Sequence, residues 1–246
     1  MDLSGKVVVV TGAGQGNGAA LSGGFLEAGA QVVGVDIEFT DVQPTDLLKI
    51  EGDVTDPRTI SQALRVALDL GQDLVLINNA GITRPHGTPY PIDLWRETIE
   101  VNLTSPHRWI ESFCEPMKLR KSGSIINITS LAAERGFADN PSYAASKGGL
   151  KALTKSYAYA LGPLGIRCNC IGPGYIKTNM TAKSQDSSAR SQMILDNTPL
   201  GRWGHPRDLV GLACLLASDE GSFITGQDIY VDGGWLAVGM VEGGSK

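Results

Sequence analysis

Seven short, mostly apolar runs recur along the chain, and a helix-patterned stretch separates most of them. The runs lie at residues 6–11 (KVVVVT), 31–36 (QVVGVD), 47–52 (LLKIEG), 74–78 (LVLIN), 124–129 (SIINIT), 166–171 (IRCNCI) and 228–231 (DIYV). Several are β-branched and apolar on both faces, as parallel strands covered on both sides are. Helical patterns occupy residues 16–28, 57–70, 92–119, 141–161 and 206–218. This alternation restricts the chain to an α/β architecture, a doubly wound parallel sheet of about seven strands with helices on both faces. No Pro/Ser-rich linker or internal repeat divides it, so residues 1–246 read as one domain.

Two intervals break the rhythm. Residues 37–45 (IEFTDVQPT) are too short, and too broken by Pro44, for a crossover helix, and predict a loop or a single turn. Residues 172–202 are long and polar in the middle (TAKSQDSSARSQ). Long loops in compact domains are usually functional covers or disordered, and residues 176–202 read as a mobile lid segment.

Composition narrows the classes of partner. A net charge of −5 argues against nucleic acid or an anionic membrane as the main partner. No run approaches the roughly 18 apolar residues that span a bilayer, and the N-terminal stretch lacks a secretory layout, which predicts a cytoplasmic protein. Cys114, Cys168, Cys170 and Cys214 form no CxxC pair and read as buried small residues in a reducing compartment. His86, His107 and His205 match no ligand spacing, so no metal is expected.

Four groups of residues point to chemistry. Thr11 to Gly18 read TGAGQGNG, directly after the first strand pattern and opening the first helix. Gly12 allows the tight turn, Gly16 and Gly18 allow close backbone approach, and the helix N-terminus offers unpaired N–H donors to a pyrophosphate. Asp36 ends the second strand pattern, about twenty residues on, where a carboxylate accepts from adenosine ribose hydroxyls and repels a 2′-phosphate. Neither Gln15 nor residues 37–41 supply an Arg or Lys for that phosphate, which favours NAD over NADP. Tyr143 and Lys147 are four residues apart on one helix face. An ammonium there lowers a tyrosine pKa toward neutrality and makes Tyr143 a proton donor or acceptor; the bland alternative is a surface pair. Ser130 ends the fifth strand pattern, where ligands of α/β sheets gather; it reads equally as a turn residue, as Asn78-Asn79 reads as an Asx turn. Lys151 and Lys155 read as solvated.

These residues, in this order, resemble the short-chain dehydrogenase/reductase family over essentially the whole chain. The resemblance rests on TGAGQGNG, Asp53-Val54, Asn78-Asn79-Ala80-Gly81, Asn102, Ser130, Tyr143-x-x-x-Lys147 and Pro173-Gly174-x-x-x-Thr178. It implies a Rossmann-like fold binding NAD through Gly12, Gln15, Gly16, Asn17, Gly18 and Asp36. Asp53 and Val54 would hold the adenine, and Asn79, Ala80 and Gly81 would line the cleft. Pro173, Gly174, Ile176 and Thr178 would flank the nicotinamide, with Ile176 and Thr178 contacting its amide side. It further implies a catalytic set of Asn102, Ser130, Tyr143 and Lys147, in which Lys147 also binds the nicotinamide ribose and Asn102 holds a water linking Lys147 to solvent. A homotetramer, or a dimer, assembled through helices 92–119 and 141–161 is expected.

Two departures stand out. Asn17 occupies a position where the family usually carries an aliphatic residue, and the segment after Asp36 is shortened. The short segment is reminiscent of members acting on cyclic dihydrodiols, whereas VDGGWLA (231–237) resembles sugar-acid dehydrogenases of the gluconate type. A secondary alcohol and ketone on a sugar, polyol or sugar acid is the expected substrate pair, with polar groups in the lid and near Arg84, His86 or His107 suited to it. A cyclic dihydrodiol dehydrogenase and a 3-ketoacyl reductase are the alternatives among enzymes, and Asp36 argues against the second. A non-catalytic NAD-binding sensor or scaffold is the alternative of another class; such proteins tend to lose the Ser or Tyr present here.

Overall fold

The computed structural model describes residues 1–40, 44–71 and 73–238. Seven strands form one sheet in the order β3-β2-β1-β4-β5-β6-β7, all pairs parallel. They are β1 (Lys6–Thr11), β2 (Gln31–Asp36), β3 (Leu48–Glu51), β4 (Asp73–Asn78), β5 (Gly123–Ile128), β6 (Ile166–Pro173) and β7 (Asp228–Val231). The helices are α1 (Gly16–Glu27), α2 (Pro57–Asp69), α3 (Ile92–Ile99), α4 (Ser105–Arg120), α5 (Pro141–Leu161), α6 (Ala182–Asp186), α7 (Ser188–Asp196) and α8 (Val210–Ala217).

The unbroken valines of β1 show why the sheet is covered twice. Successive side chains point to opposite faces. Val7 and Val9 join Val33, Leu74 and Leu76 in one core with Trp109, Phe113 and Met117 of α4. Val8 and Val10 join Val32, Val75 and Ile77 in the other, with Leu21 and Phe25 of α1 and Leu216 of α8. Strand order reverses direction at β1 and β4, so their carboxyl ends open the crevice where ligands of such sheets bind.

Two sequence expectations are corrected. The helix expected over 92–119 is broken by a π turn, Glu100–Thr104, between α3 and α4. Pro106 has no N–H to give the carbonyl of Asn102 four residues back, so the α-ladder cannot run through that point. The loop expected within 172–202 carries a 3₁₀ turn (Asn179–Thr181), α6 and α7. A capping box between Thr178 and Thr181 starts it, the Ser187 hydroxyl caps α7, and buried Ile194 anchors it. One apolar anchor in a polar helix leaves no periodic signature. After Asp36, residues 37–40 and 44–47 form no helix; residues 41–43 of that segment lie outside the described residues. No helix of the described residues is long and apolar enough to cross a membrane.

Candidate active site

The glycine-rich turn after β1 is built by close backbone approach. Gly12 has φ of +66°, and a Cβ there would stand 2.8 Å from Ala80 Cα. A Cβ on Gly18 would stand 1.8 Å from Gly12 O, so the turn and the first turn of α1 fit only without a side chain. Asn79 locks this turn to the end of β4: its Nδ2 donates to Thr11 O and Gly12 O at 2.9 Å each. Thr11 Oγ1 accepts from the N–H groups of Asn79 (3.0 Å) and Ala80 (3.1 Å). The Asn79 amide thus clamps the glycine loop.

The N-terminus of α1 suits a pyrophosphate. Its N-cap, Gln15, makes no capping hydrogen bond and no acid sits in the first turn, although helix starts favour both. Thr178 faces Gly16, with Cγ2 3.4 Å from where its Cβ would be, and Asn179 Nδ2 donates to Gln15 Oε1 at 2.6 Å. The glycine loop and the start of the segment after β6 therefore face each other. Asn17 Oδ1 is buried with no partner among the described residues, an unmet acceptor at the head of the same helix.

Asp36 is fixed in two directions. Oδ2 accepts from Gly14 N–H at 2.8 Å and Oδ1 from Ile37 N–H at 2.7 Å. A carboxylate has about four acceptor positions, so each oxygen keeps capacity for a ligand hydroxyl. Gly14 was overlooked in the motif; its N–H orients this acid. Gly52 N–H donates to Asp36 O at 2.8 Å, bringing Asp53 and Val54 alongside. Asp53 Oδ1 accepts from Thr55 N–H and Oγ1, both 2.8 Å, while Val54 is buried and its carbonyl accepts from Ser105 Oγ and Trp109 Nε1.

At the end of β5, Ser130 caps a 3₁₀ turn (Leu131–Ala133) through Ala132 N–H at 3.2 Å. The Ser130 hydroxyl faces the Tyr143 hydroxyl closely enough to lower its pKa against burial. Lys147 is 4% exposed; its Nζ donates to Ile128 O at 2.8 Å and lies 5.8 Å from the centre of the Tyr143 ring. Asn102 sits on the π turn, fully buried. Its Oδ1 accepts from Ile82 N–H (2.8 Å), and its Nδ2 donates to Ile82 O (2.9 Å) and Ser146 Oγ (3.2 Å). A Cβ on Gly81 would lie 3.3 Å from Asn102 Oδ1 and 3.4 Å from Lys147 Nζ, so these three residues converge.

The expected electrostatics need correcting. Burial pushes the Tyr143 hydroxyl above its ordinary value, with the Ser130 hydrogen bond pulling the other way. Burial also lowers Lys147 to about 8. Both shifts disfavour the charged forms, and desolvation outweighs the pull expected of the ammonium on the phenol.

A second correction concerns Lys151. It is not solvated but pairs with Glu134 and, at 3.4 Å, with Asp228. Tyr230 OH donates to Asp228 Oδ2 (2.7 Å) and Glu134 Oε1 (3.1 Å), tying the Ser130 turn to β7. Lys155 is exposed, as expected. Arg84 pairs with Glu97 and His107 with Tyr157, and Tyr90 OH bonds Ser142 Oγ at the start of α5. Beyond β6, Gly174 N–H donates to Val231 O at 3.0 Å, Ile176 is buried, and Thr178 caps the 3₁₀ turn Asn179–Thr181. A cavity of about 210 Å³ lies to one side, lined by Tyr175, Thr198, Leu200 and Asp232, and none of Ser130, Tyr143 or Lys147 lines it.

A glycine-rich turn at the switch point, beside Ser130 at the end of β5 and Tyr143 and Lys147 on α5, is the arrangement of α/β oxidoreductases that work with a dinucleotide. Comparison with known proteins agrees. A family profile described as enoyl-(acyl carrier protein) reductase matches residues 12–236. The 5-keto-D-gluconate 5-reductase of Escherichia coli K12 is 36% identical over 245 residues, covering 95% of this chain and 96% of that protein. A 3-oxoacyl-(acyl-carrier-protein) reductase of Vibrio cholerae is also 36% identical, over 97% of this chain and 100% of its own. A gluconate 5-dehydrogenase from Burkholderia cenocepacia, solved with NADP and tartrate, superposes with a TM-score of 0.89 at 30% identity, over 96% of this chain and 97% of its own. The chain belongs to the short-chain dehydrogenase/reductase family. It is an oxidoreductase acting on CH–OH groups, interconverting a secondary alcohol and a ketone with a nicotinamide cofactor.

Proposed function

We propose that this protein is an NAD-dependent oxidoreductase of a sugar acid, with Tyr143 as its acid/base. The observation that carries this reading is the convergence of Ser130, Tyr143 and Lys147 at the carboxyl end of β5, beside the glycine loop. When bound, the nicotinamide supplies the hydride acceptor or donor. Gly12, Gln15, Gly16, Asn17 and Gly18 cradle the pyrophosphate, and Asp36 takes the adenosine ribose, with Asp53 and Val54 beside the adenine. Ala80, Gly81, Pro173, Gly174, Ile176 and Thr178 bound the nicotinamide half.

In reduction, Tyr143 gives its hydroxyl proton to the substrate oxygen as the carbon gains a hydride; in oxidation it takes that proton back. Ser130 orients the same oxygen. Lys147 grips the nicotinamide ribose and resupplies the proton. Asn102 holds the loop after Gly81 through Ile82, and holds Ser146 beside Lys147. The lid at 176–202 closes over the substrate, and residues 1–246 work as one domain. Sugar-acid relatives and the VDGGWLA ending support the substrate class. The fixed carboxylate of Asp36 supports NAD, since it would face a 2′-phosphate.

The matching identity to the 3-oxoacyl reductase supports a second reading, reduction of a 3-ketoacyl thioester. A rate screen separates them: D-gluconate, 5-keto-D-gluconate, D-glucitol, a cyclic diol and acetoacetyl-coenzyme A, each with NAD(H) and NADP(H). The proposal expects sugar acids with NAD(H) to lead, and a lead for the thioester with NADPH would overturn it. We extend the proposal to a cytoplasmic homotetramer. Ile92 of α3, Leu119 of α4 and Tyr159 of α5 are exposed apolar positions on the elements expected at its interface.

A further inference from the structure

One group of side chains beside the catalytic set has no part in the chemistry above. Tyr175, Trp203 and Trp235 pack edge to face, with ring centres 5.8 Å apart for Tyr175–Trp203 and 5.6 Å for Tyr175–Trp235. They stand beyond the carboxyl ends of β6 and β7, beside the β5 end that carries Ser130. Arg135 lies over the Trp235 ring at 5.1 Å, and its N–H bonds back to Leu131 O, within one turn of Ser130. At the other end, Trp203 Nε1 donates to Ser191 Oγ at 3.0 Å, next to Arg190 on the lid helix α7.

Neither guanidinium has an acidic partner among the described residues. The neighbouring acids are occupied. Glu134 and Asp228 are held by Lys151 and Tyr230, and Asp232 accepts from Gly234 N–H and Leu236 N–H at 2.9 Å each. Arg190 and Arg135 both pull the Tyr175 hydroxyl down against the burial that raises it, as charges flanking the aromatic group at its two ends do. In a chain of net charge −5, two cations without an acidic partner among the described residues, flanking the aromatic group beside the Ser130 turn, form a local anion attractor.

We propose that Arg135 and Arg190 form the subsite that takes the substrate carboxylate and makes this oxidoreductase selective for hydroxy acids over neutral polyols. The inference rests on the reading of Ser130, Tyr143 and Lys147 given above. Arg135, stacked on an indole, is pre-organised, and its planar fork matches a carboxylate with two parallel hydrogen bonds. Arg190 comes from α7 at the other end of the aromatic group, where it adds positive charge to the approach of the carboxylate that Arg135 holds.

The test compares D-gluconate with D-glucitol, which differ by the carboxylate, in wild type, Arg135→Met and Arg190→Met. Gluconate binding to the enzyme–NADH complex is followed in parallel by calorimetry. NADH affinity serves as the folding control, expected to be unchanged. The ratio of kcat/KM for gluconate over glucitol is expected to fall roughly tenfold to a hundredfold in Arg135→Met, the range for a lost hydrogen bond to a charged group, and less in Arg190→Met. A wild-type ratio retained in Arg135→Met overturns the subsite. If neither compound is turned over, gluconate binding that disappears in Arg135→Met upholds the subsite while sinking the sugar-acid dehydrogenase reading. Absence of gluconate binding in wild type, or preference for glucitol, overturns the subsite and leaves alcohol oxidation standing.

Discussion

Replacing Lys147 with methionine should alter stability in a way that depends on pH. In the fold its pKa falls from the usual 10.5 to about 8, because a 4%-exposed ammonium has been taken out of water. At 1.36 kcal/mol per pH unit, that depression corresponds to about 3 kcal/mol. Between pH 8 and 10.5 the unfolded lysine holds a proton that the folded one has lost. The unfolded state then binds more protons, and this group's contribution to stability rises with pH. Below pH 8 both states are protonated and the full penalty is present; above 10.5 both are neutral and it vanishes. The variant is relieved of the penalty at pH 7 and gains little at pH 10. Loss of the 2.8 Å bond to Ile128 O costs about 1.5–3 kcal/mol where Nζ is an ammonium and about 0.5–1.5 kcal/mol where it is neutral, a difference already contained in the folded pKa and so not added to it. Urea unfolding of both proteins at pH 7 and pH 10 should therefore show the variant's relative stability dropping by about 2–3 kcal/mol at the higher pH. An equal difference at both pH values would refute the buried, acid-shifted lysine.

Further outcomes follow from single contacts. Gly18→Ala sets a Cβ 1.8 Å from Gly12 O and must displace the turn by about an ångström, so NADH affinity should fall on the order of a hundredfold in titrations of tryptophan fluorescence, with the far-UV circular dichroism kept. Trp109→Ala removes a fully buried ring and its 2.9 Å bond to Val54 O, and should lower the unfolding free energy by about 3–5 kcal/mol in urea. Asp36→Asn removes the charge that faces a 2′-phosphate and should move the NAD/NADP preference toward NADP in steady-state kinetics.

The architecture was legible because a buried parallel strand leaves little freedom: KVVVVT must be apolar at both parities, and the seven runs all became strands. The order of Thr11–Gly18, Asp36, Ser130, Tyr143 and Lys147 likewise placed the site, since all lie at carboxyl strand ends or the helices leaving them. What was illegible depended on tertiary contact. The π turn at Asn102 is visible only once Pro106 is asked where its missing donor falls. Lys151 looked solvated because its partners, Glu134 and Asp228, come from distant stretches of chain. Tyr143 was expected to shift downward because helix spacing shows the ammonium but not the burial. Gly14 escaped notice because its contribution is a backbone N–H aimed at Asp36.

The central claim is that Tyr143 moves the proton in this oxidoreductase. Turnover of a sugar acid with NAD by Tyr143→Phe, measured beside NADH affinity in the same preparation, tests it most directly. The account predicts kcat lower by roughly a hundredfold to ten-thousandfold, the range for general acid–base catalysis, with NADH affinity nearly unchanged. A variant that binds NADH and turns over within a few-fold of wild type would contradict it.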